Sequence, residues 1–323
     1  MTKLTNKLLS NIFFGSAVLL SGCQASTDTE NQDTPTITEV AEFDPSTILT
    51  TGEALKAATD EYWRDLDPAN TIYMELESGT VVIELAPQFA PNHVTNIKTL
   101  VRENYFDDLF VIRSHDNYVA QWGDADEDNP KSFGSAKATL DPEWVRDWPD
   151  NLPFNELKDG DIYQKQAGLS YGFPVAGDKN TNKIGMAHCY GMVGVGRGGE
   201  ANSGNGSSLY VVTGHAPRHL DRNVTLVGKV LLGVEHLSSL PRGTGPLGFY
   251  ETPEEYAPVK SIRLASEVAP EDRINLQVMR TDTTVYEDYL DARRYRKEEW
   301  FLDPAGRLEL CNAPVPVRKK STE

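Results

Sequence analysis

Short runs of alternating apolar and polar residues, separated by turn residues, dominate the middle of this chain and limit the folds open to it. The first two runs lie within residues 71–85, on either side of a Glu-Ser-Gly turn at residues 77–79. Further runs occur at residues 111–124, 190–195, 208–213, 225–230 and 259–264. Many short strands with few helices predict a mainly β domain, folded as an antiparallel barrel or sandwich.

Helical spacing is found in only a few segments. Thr50 and Glu53 form a capping-box pattern, and the apolar residues that follow predict a helix over residues 52–66. Asn92 is a candidate cap for a second helix. The apolar stripe of that helix is formed by Val94, Ile97, Leu100 and Val101. A short helix is also predicted at residues 234–240.

The strand pattern is interrupted at residues 125–190, which are acidic and rich in Pro, Gly, Asp and Asn. A stretch of that length inside a compact domain is typical of an insertion with some structure of its own. A strand at residues 275–280 and a charged helix near residues 285–300 predict an α+β extension over residues 267–323. The folded domain, with its N-terminal helix, is therefore expected to span residues 50–266.

The N-terminus has the features of a bacterial lipoprotein signal. Two lysines precede a mostly apolar run at residues 8–20, which is too short to cross a membrane as a helix. The sequence LSGC at residues 20–23 resembles the lipobox, in which the cysteine is lipidated and becomes the mature N-terminus. Residues 1–22 are thus interpreted as a signal peptide and Cys23 as the lipidation site. The alternative is an ordinary signal peptide with an incidental cysteine.

Residues 23–49 are rich in Thr, Asp, Glu and Pro, and they predict a solvated acidic tether between the lipid and the domain. Residue 24 is Gln and not Asp, which by lipoprotein sorting rules favours the outer membrane. The expected location is the periplasm of a Gram-negative bacterium, with the lipid on Cys23 in the membrane. In an oxidising periplasm Cys189 and Cys311 could form a disulfide, or they could be two buried thiols.

The net charge of −17 makes nucleic acid an unlikely class of partner, because a field this negative repels phosphate backbones. Three motif matches also lack their structural context. The glycines at residues 194–199 fit a dinucleotide motif, but no helix can start after them. Ser170 fits a nucleophile-elbow pattern without the following helix, which leaves a serine hydrolase as a minor alternative. The acidic run from Asp124 lacks the glycine and the final glutamate of a calcium loop.

The segment VIRSHDNYVAQWGD at residues 111–124 places polar side chains in a stretch with apolar ends. Aligned without a gap, it resembles the cyclophilin segment FHRVIPGFMIQGGD. Arg113 matches the catalytic arginine of that family, and Gln121 matches its first active-site glutamine. Tyr118 matches the phenylalanine at the floor of the proline pocket, and Val119 matches the neighbouring methionine.

Three further segments match cyclophilins in the same order, at residues 82–97, 206–211 and 219–230. The resemblance covers residues 70–124 and 190–266, on either side of the insertion. It implies a cyclophilin-like antiparallel eight-stranded barrel capped by helices. It also implies that the protein is a peptidyl-prolyl cis–trans isomerase. The reaction of such an enzyme needs neither a metal nor a cofactor.

The resemblance assigns catalysis to Arg113 and Gln121. It assigns substrate binding to Tyr118, Val119, Arg197, Ser208, Tyr210, His219 and Leu220. The barrier to rotation is the amide resonance, about 18–20 kcal/mol. In the twisted amide the prolyl nitrogen gains a lone pair, to which a fixed guanidinium can donate, so that binding is strongest in the transition state. The alternative is that Arg113 pairs with an acid such as Asp124 and that Gln121 satisfies a buried backbone group.

Three positions depart from the family pattern. Ser208 replaces the second glutamine, His219 replaces a tryptophan or phenylalanine, and Val224 replaces a histidine. The predicted function is isomerisation of X–Pro bonds in unfolded, periplasmic or envelope polypeptides. The alternative is a cyclophilin-like module that binds proline-containing partners and has weak catalysis.

Overall fold

The computed structural model describes residues 47–126 and 128–320. The predicted signal peptide, the predicted lipidation site Cys23 and most of the predicted tether lie outside the described residues, so those interpretations stay predictions. Within the described ranges, no helix is both long enough and apolar enough to cross a membrane.

Eight antiparallel strands close into a barrel, which confirms the predicted fold class. In order around the barrel they are Met192–Val195, Leu209–Val212, Val119–Gly123, Leu109–Ser114, Ala257–Leu264, Thr71–Leu76, Thr80–Leu85 and Leu226–Leu232, and the last pairs with the first. Alternate side chains of these strands fill the interior with Ile, Val, Leu, Met and Trp122. The barrel is thus a packed core, and its functional groups must lie on its outer surface or at its ends.

The helix Pro91–Arg102 packs on this barrel core. Its predicted stripe is buried, as residues Val94, Ile97, Leu100 and Val101 show. The helix begins at Pro91 with Ala90 at the cap position, so Asn92 is not its cap. Proline suits the first helical position because its φ is fixed and its missing N–H needs no partner. The backbone and side-chain amides of Asn92 donate instead to Glu143 of the insertion.

The predicted N-terminal helix over residues 52–66 is correct only in its first half. The capping box of Thr50 and Glu53 is present, and the helix spans Thr51–Ala57. The prediction was wrong beyond that point, because Trp63–Asp65 is a strand that pairs with Leu276–Met279. This long-range pairing satisfies the backbone and overrides the local helical spacing.

The insertion carries a five-stranded antiparallel sheet of its own. Its strands, in order across the sheet, are Arg146–Asp147, Lys183–Met186, Phe173–Asp178, Gln166–Ser170 and Asn155–Glu156. Ser170 is fully buried at the end of one strand, and the turn at Tyr171 and Gly172 leads into the next strand. There is no strand-turn-helix here, so the scaffold of a nucleophile elbow is absent at Ser170.

The C-terminal extension adds the strand Leu276–Met279, the helix Thr284–Tyr295 and the strand Val317–Lys319. The helix ends before the predicted residue 300, because Arg296 leaves the helical conformation. The two strands form a three-stranded sheet with Trp63–Asp65. The remaining α-helix of the described residues, Glu235–Ser238, corresponds to the short helix predicted at residues 234–240.

The N-terminal helix, the insertion and the extension share one hydrophobic core, which continues onto the outside of the barrel. Representative members of this core are Ala54, Phe173, Tyr286, Leu310 and, from the barrel, Val212. Cys189 and Cys311 are joined by a disulfide, with 4.9 Å between their Cα atoms. The sequence left this pairing open, and the structure resolves it in favour of the bridge. We call the N-terminal helix, the insertion and the C-terminal extension together the accessory layer.

Candidate active site

Arg113 and Gln121 face each other across two adjacent barrel strands. The pairing of these strands is irregular between Val111 and Arg113, which is the mark of a β-bulge. The connecting turn contains Asn117 in the left-handed region, with φ 51°. Tyr118 therefore enters the site from the turn and not from the regular alternation of the strand.

The guanidinium of Arg113 is held by three acceptors. Its Nη1 donates to Gln121 Oε1 at 3.1 Å, and its Nε donates to the carbonyl oxygen of Leu247 at 2.7 Å. Its Nη2 lies 3.1 Å from Nδ1 of His115. Burial lowers the pKa of Arg113, but a guanidinium remains charged at neutral pH. The described residues provide no carboxylate within ion-pair distance of Arg113.

Gln121 has its amide orientation fixed from both ends. Oε1 accepts from Arg113, and Nε2 donates to Ser208 Oγ at 3.0 Å. A Cβ atom at Gly196 would lie only 3.0 Å from Nε2 of Gln121, so a glycine at that position leaves room for the amide. The three residues Arg113, Gln121 and Ser208 thus form a continuous hydrogen-bonded chain.

A groove of about 420 Å³ opens beside the Arg113 guanidinium. It is lined by seven of the nine residues that the sequence assigned to the site, namely Arg113, Tyr118, Val119, Gln121, Arg197, Tyr210 and Leu220. The remaining two contact residues of this lining: Ser208 accepts from Gln121, and the exposed His219 stacks on Tyr118 with ring centroids 6.2 Å apart. Four of the lining residues, Tyr118, Val119, Tyr210 and Leu220, form an apolar cup beside the Arg113 guanidinium. Such a cup can hold an apolar ring of a ligand while the guanidinium faces a polar bond next to that ring.

Residues 71–266 match the family described as cyclophilin type peptidyl-prolyl cis-trans isomerase/CLD. The chain belongs to the cyclophilin family. The predictions of the family and of its peptidyl-prolyl cis–trans isomerase activity are thereby confirmed.

Known proteins agree with this assignment. The chain is 28% identical over 178 residues to a probable peptidyl-prolyl cis-trans isomerase of Brucella suis, a match that covers 55% of this chain and 74% of that protein. The crystal structure of cyclophilin AquaCyp293 from Hirschia baltica is similar, with 27% identity and a TM-score of 0.62. That likeness covers 82% of this chain and 99% of the other, so it extends beyond residues 71–266 into the accessory layer.

Two residues of the groove in this cyclophilin were missed by the sequence reasoning. Leu247 and Phe249 come from a loop with no strand or helix signal. The ring centroid of Phe249 lies 5.1 Å from the guanidinium carbon of Arg113, and the ring centroid of Tyr118 lies 5.7 Å from the same carbon. Leu247 adopts a left-handed conformation with φ 57°, which is rare for a leucine, and it is 67% exposed. The run of Pro and Gly residues at positions 241–248, which is typical of turns, could have pointed to this loop.

The wall of the groove that contains Val224 and Arg197 differs from the family pattern. Val224 lines the groove where the family has a histidine. Arg197 lies at the edge of the groove, where its Nε donates to the carbonyl of Asn223 at 3.0 Å. Its guanidinium carbon lies 5.9 Å from the ring of Trp144, which belongs to the insertion. The insertion thus supports one edge of the groove.

A buried polar chain begins at the floor of the groove and leads to the insertion. The hydroxyl of Tyr210 donates to Nε2 of His188 at 2.8 Å, and Nδ1 of His188 donates to Asp221 at 2.8 Å. Burial lowers the pKa of His188, which keeps the imidazole neutral in this arrangement. Asp221 also accepts from Arg218, and Arg218 donates two hydrogen bonds of 3.0 Å to Asp161 of the insertion. The sequence assigned Tyr210 to substrate binding but did not predict its link to His188, Asp221 and Arg218.

The acidic run from Asp124, which the sequence compared with a calcium loop, forms hydrogen bonds within its own loop. Asp124 and Asp126 accept hydrogen bonds from backbone amides of their own loop, including that of Lys131. Within residues 47–126 and 128–320, no group of three His, Cys, Asp or Glu residues is placed to hold a metal ion. The carboxylates near Asp124 are therefore used to shape the loop.

Proposed function

We propose that this cyclophilin isomerises X–Pro bonds of polypeptides by binding the twisted amide without any covalent step. The observation that carries the proposal is the fixed guanidinium of Arg113 beside an apolar cup. A guanidinium has five N–H groups. Three of them are engaged by Gln121, Leu247 and His115, so two remain for a substrate.

The cup and the cation act on different parts of the substrate. The proline ring lies among Tyr118, Val119, Tyr210 and Leu220, where it is shielded from water. In the planar amide the prolyl nitrogen has no available lone pair, because the pair is delocalised into the carbonyl. When the bond twists, the nitrogen becomes pyramidal and accepts from Arg113. That hydrogen bond exists only near the transition state and so lowers the barrier.

An exchange assay on a short X–Pro peptide tests the proposal directly. NMR exchange spectroscopy is expected to show catalysed cis–trans exchange with the wild-type protein and almost none with Arg113→Ala. Arg280→Ala is a matched control, because Arg280 is a surface residue paired with Asp282 and lies outside the groove. A wild-type rate equal to the uncatalysed rate, or equal rates for wild type and Arg113→Ala, would refute the mechanism.

The second candidate function is binding of proline-containing partners with little catalysis. It is favoured by Ser208, His219 and Val224, which remove polar and aromatic groups from the usual wall. The same NMR experiment separates the two functions. Shifted peptide resonances without cis–trans exchange would identify a binding module, whereas exchange at saturating peptide identifies an isomerase.

We further propose that the protein is a lipoprotein on the periplasmic side of the outer membrane, with periplasmic or envelope polypeptides as clients. The support is the LSGC sequence at residues 20–23 after a basic and apolar leader. Mass spectrometry of the N-terminal peptide should show a diacylglyceryl group on Cys23, and Cys23→Ser should abolish it. Recovery of the wild-type protein in the soluble periplasmic fraction with an unmodified Cys23 would contradict the anchor.

A further inference from the structure

A second cavity, of about 540 Å³, lies where the accessory layer meets the loop at residues 214–220. The insertion contributes Asp161, Ile162 and Tyr163, and the extension contributes residues Arg307, Leu308 and Glu309. The barrel loop contributes His215, Ala216 and Arg218. The cavity is larger than the groove beside Arg113, and its volume suits several residues of a peptide.

The segment that presents Ile162 is held rigidly. Both oxygens of Asp161 accept from the guanidinium of Arg218, which is only 2% exposed. Asp161 Oδ2 also accepts from the backbone amides of Tyr163 and Gln164, at 3.1 and 2.9 Å. The Arg218 guanidinium carbon lies 4.8 Å from the ring of Tyr163. The backbone around Ile162 is thus fixed before any ligand arrives.

This fixed segment exposes apolar side chains to solvent. Ile162 is 92% exposed and Tyr163 is 44% exposed. Apolar side chains that are grouped on an ordered surface mark interaction sites, and an ordered binding segment loses little entropy when a partner binds. The buried charges of this region are already paired, since Arg218 is bound to Asp161 and Asp221. The lining residues Ile162, Tyr163 and Leu308 therefore suit the cavity to an apolar or aromatic side chain.

One loop borders both the second cavity and the groove. His215 and Arg218 line the second cavity, and Leu220 lines the groove. Between them His219 stacks on Tyr118 of the groove. Five residue steps of chain span at most about 18 Å, so an extended peptide of five or six residues can reach from one site to the other.

We propose that the second cavity binds the flank of the polypeptide whose X–Pro bond lies in the groove, and that it prefers an apolar or aromatic side chain there. This inference rests on the proposed function and names a feature of its substrates. It gives the insertion and the extension a role in substrate selection. A short peptide that fills only the groove does not sense the second cavity.

The test compares a tetrapeptide with peptides extended by six residues on either side of the same X–Pro bond, each carrying Leu or Ser at successive positions. With wild type, one extended Leu series should have a KM about 3- to 10-fold lower than its Ser counterpart. Ile162→Ser should remove that difference and leave the tetrapeptide unchanged. Leu302→Ser is the matched control, because Leu302 is 95% exposed and lines neither cavity.

Equal KM values for the Leu and Ser peptides, or an equal loss on short and extended peptides in Ile162→Ser, would overturn the inference. Fluorescence anisotropy of the extended peptides with the Arg113→Ala protein measures binding at the second cavity in the absence of catalysis. If wild type fails on the tetrapeptide, the proposed function fails. The anisotropy difference between Leu and Ser peptides then supports the second cavity if present and refutes it if absent.

Discussion

Arg113 Nη1 lies 3.1 Å from Gln121 Oε1, and the amide of Gln121 is fixed in turn by Ser208 at 3.0 Å. The cation of the groove is therefore oriented by Gln121, by Ser208 acting through Gln121, and by the carbonyl of Leu247. A fixed orientation matters because a donor stabilises a transition state only when it already points at the position where the lone pair develops.

Arg113→Lys should lower kcat/KM for an X–Pro peptide by about 100-fold or more. Lysine keeps the charge but lacks the planar fork that donates to Gln121 and Leu247 while it faces the substrate. The free energy of unfolding should change by less than about 1 kcal/mol, because Arg113 is only partly buried and has no carboxylate partner among the described residues. A lysine variant with wild-type kcat/KM would show that charge alone suffices.

Ser208→Ala should lower kcat/KM by about 3- to 10-fold, because the amide of Gln121 loses its acceptor and can rotate away from Arg113. Gln121→Ala should have a larger effect. In the double variant the loss should be close to that of Gln121→Ala alone, since Ser208 acts through Gln121. Strictly additive losses in this double-mutant cycle would mean that Ser208 contributes independently.

The sequence revealed the part of the site that lies on one continuous segment. Arg113, Tyr118, Val119 and Gln121 are within nine residues of one another, so a linear motif contains their arrangement. Leu247 and its loop reach the same groove through long-range contacts with the strand Leu109–Ser114, such as the bridge between Phe249 and Arg113, and no local pattern of apolar residues predicts that approach.

Long-range pairing explains the other differences between prediction and structure. Trp63–Asp65 lies within a stretch whose apolar residues have helical spacing, but its backbone partners are in Leu276–Met279. Cys189 and Cys311 are 122 residues apart, and their proximity depends on the shared core of the accessory layer. Propensity and spacing describe neighbours along the chain, and these contacts are between distant segments.

Replacing both Cys189 and Cys311 by alanine should lower the free energy of unfolding by about 2–5 kcal/mol. The bridge closes a long loop of the unfolded chain, whose entropy rises when the bridge is lost. Denaturant unfolding of the wild type should shift to lower concentration when a reductant is added, and the double variant should not respond to it. A wild type that is insensitive to the reductant would contradict this contribution.

His188 should make the stability of the protein fall as the pH drops below about 6.5. Burial lowers the pKa of His188 in the folded state. Below the unfolded pKa, the unfolded chain therefore binds a proton that the folded chain does not, and unfolding is favoured. The stabilising contribution of His188 is therefore fully present above the pKa of the unfolded chain. It is lost as the pH falls from that value towards the lower pKa of the folded state. Asp221, whose pKa is also lowered, acts in a separate window below about pH 4.

Denaturant unfolding of wild type and His188→Gln at several pH values between 5 and 8 measures this linkage. The variant should be less stable at every pH, because Tyr210 and Asp221 lose a buried partner. The informative quantity is the slope of the unfolding free energy against pH. This slope should be smaller in the variant by up to about 1.4 kcal/mol per pH unit. Parallel curves for wild type and His188→Gln would show that His188 titrates alike in the folded and unfolded chains.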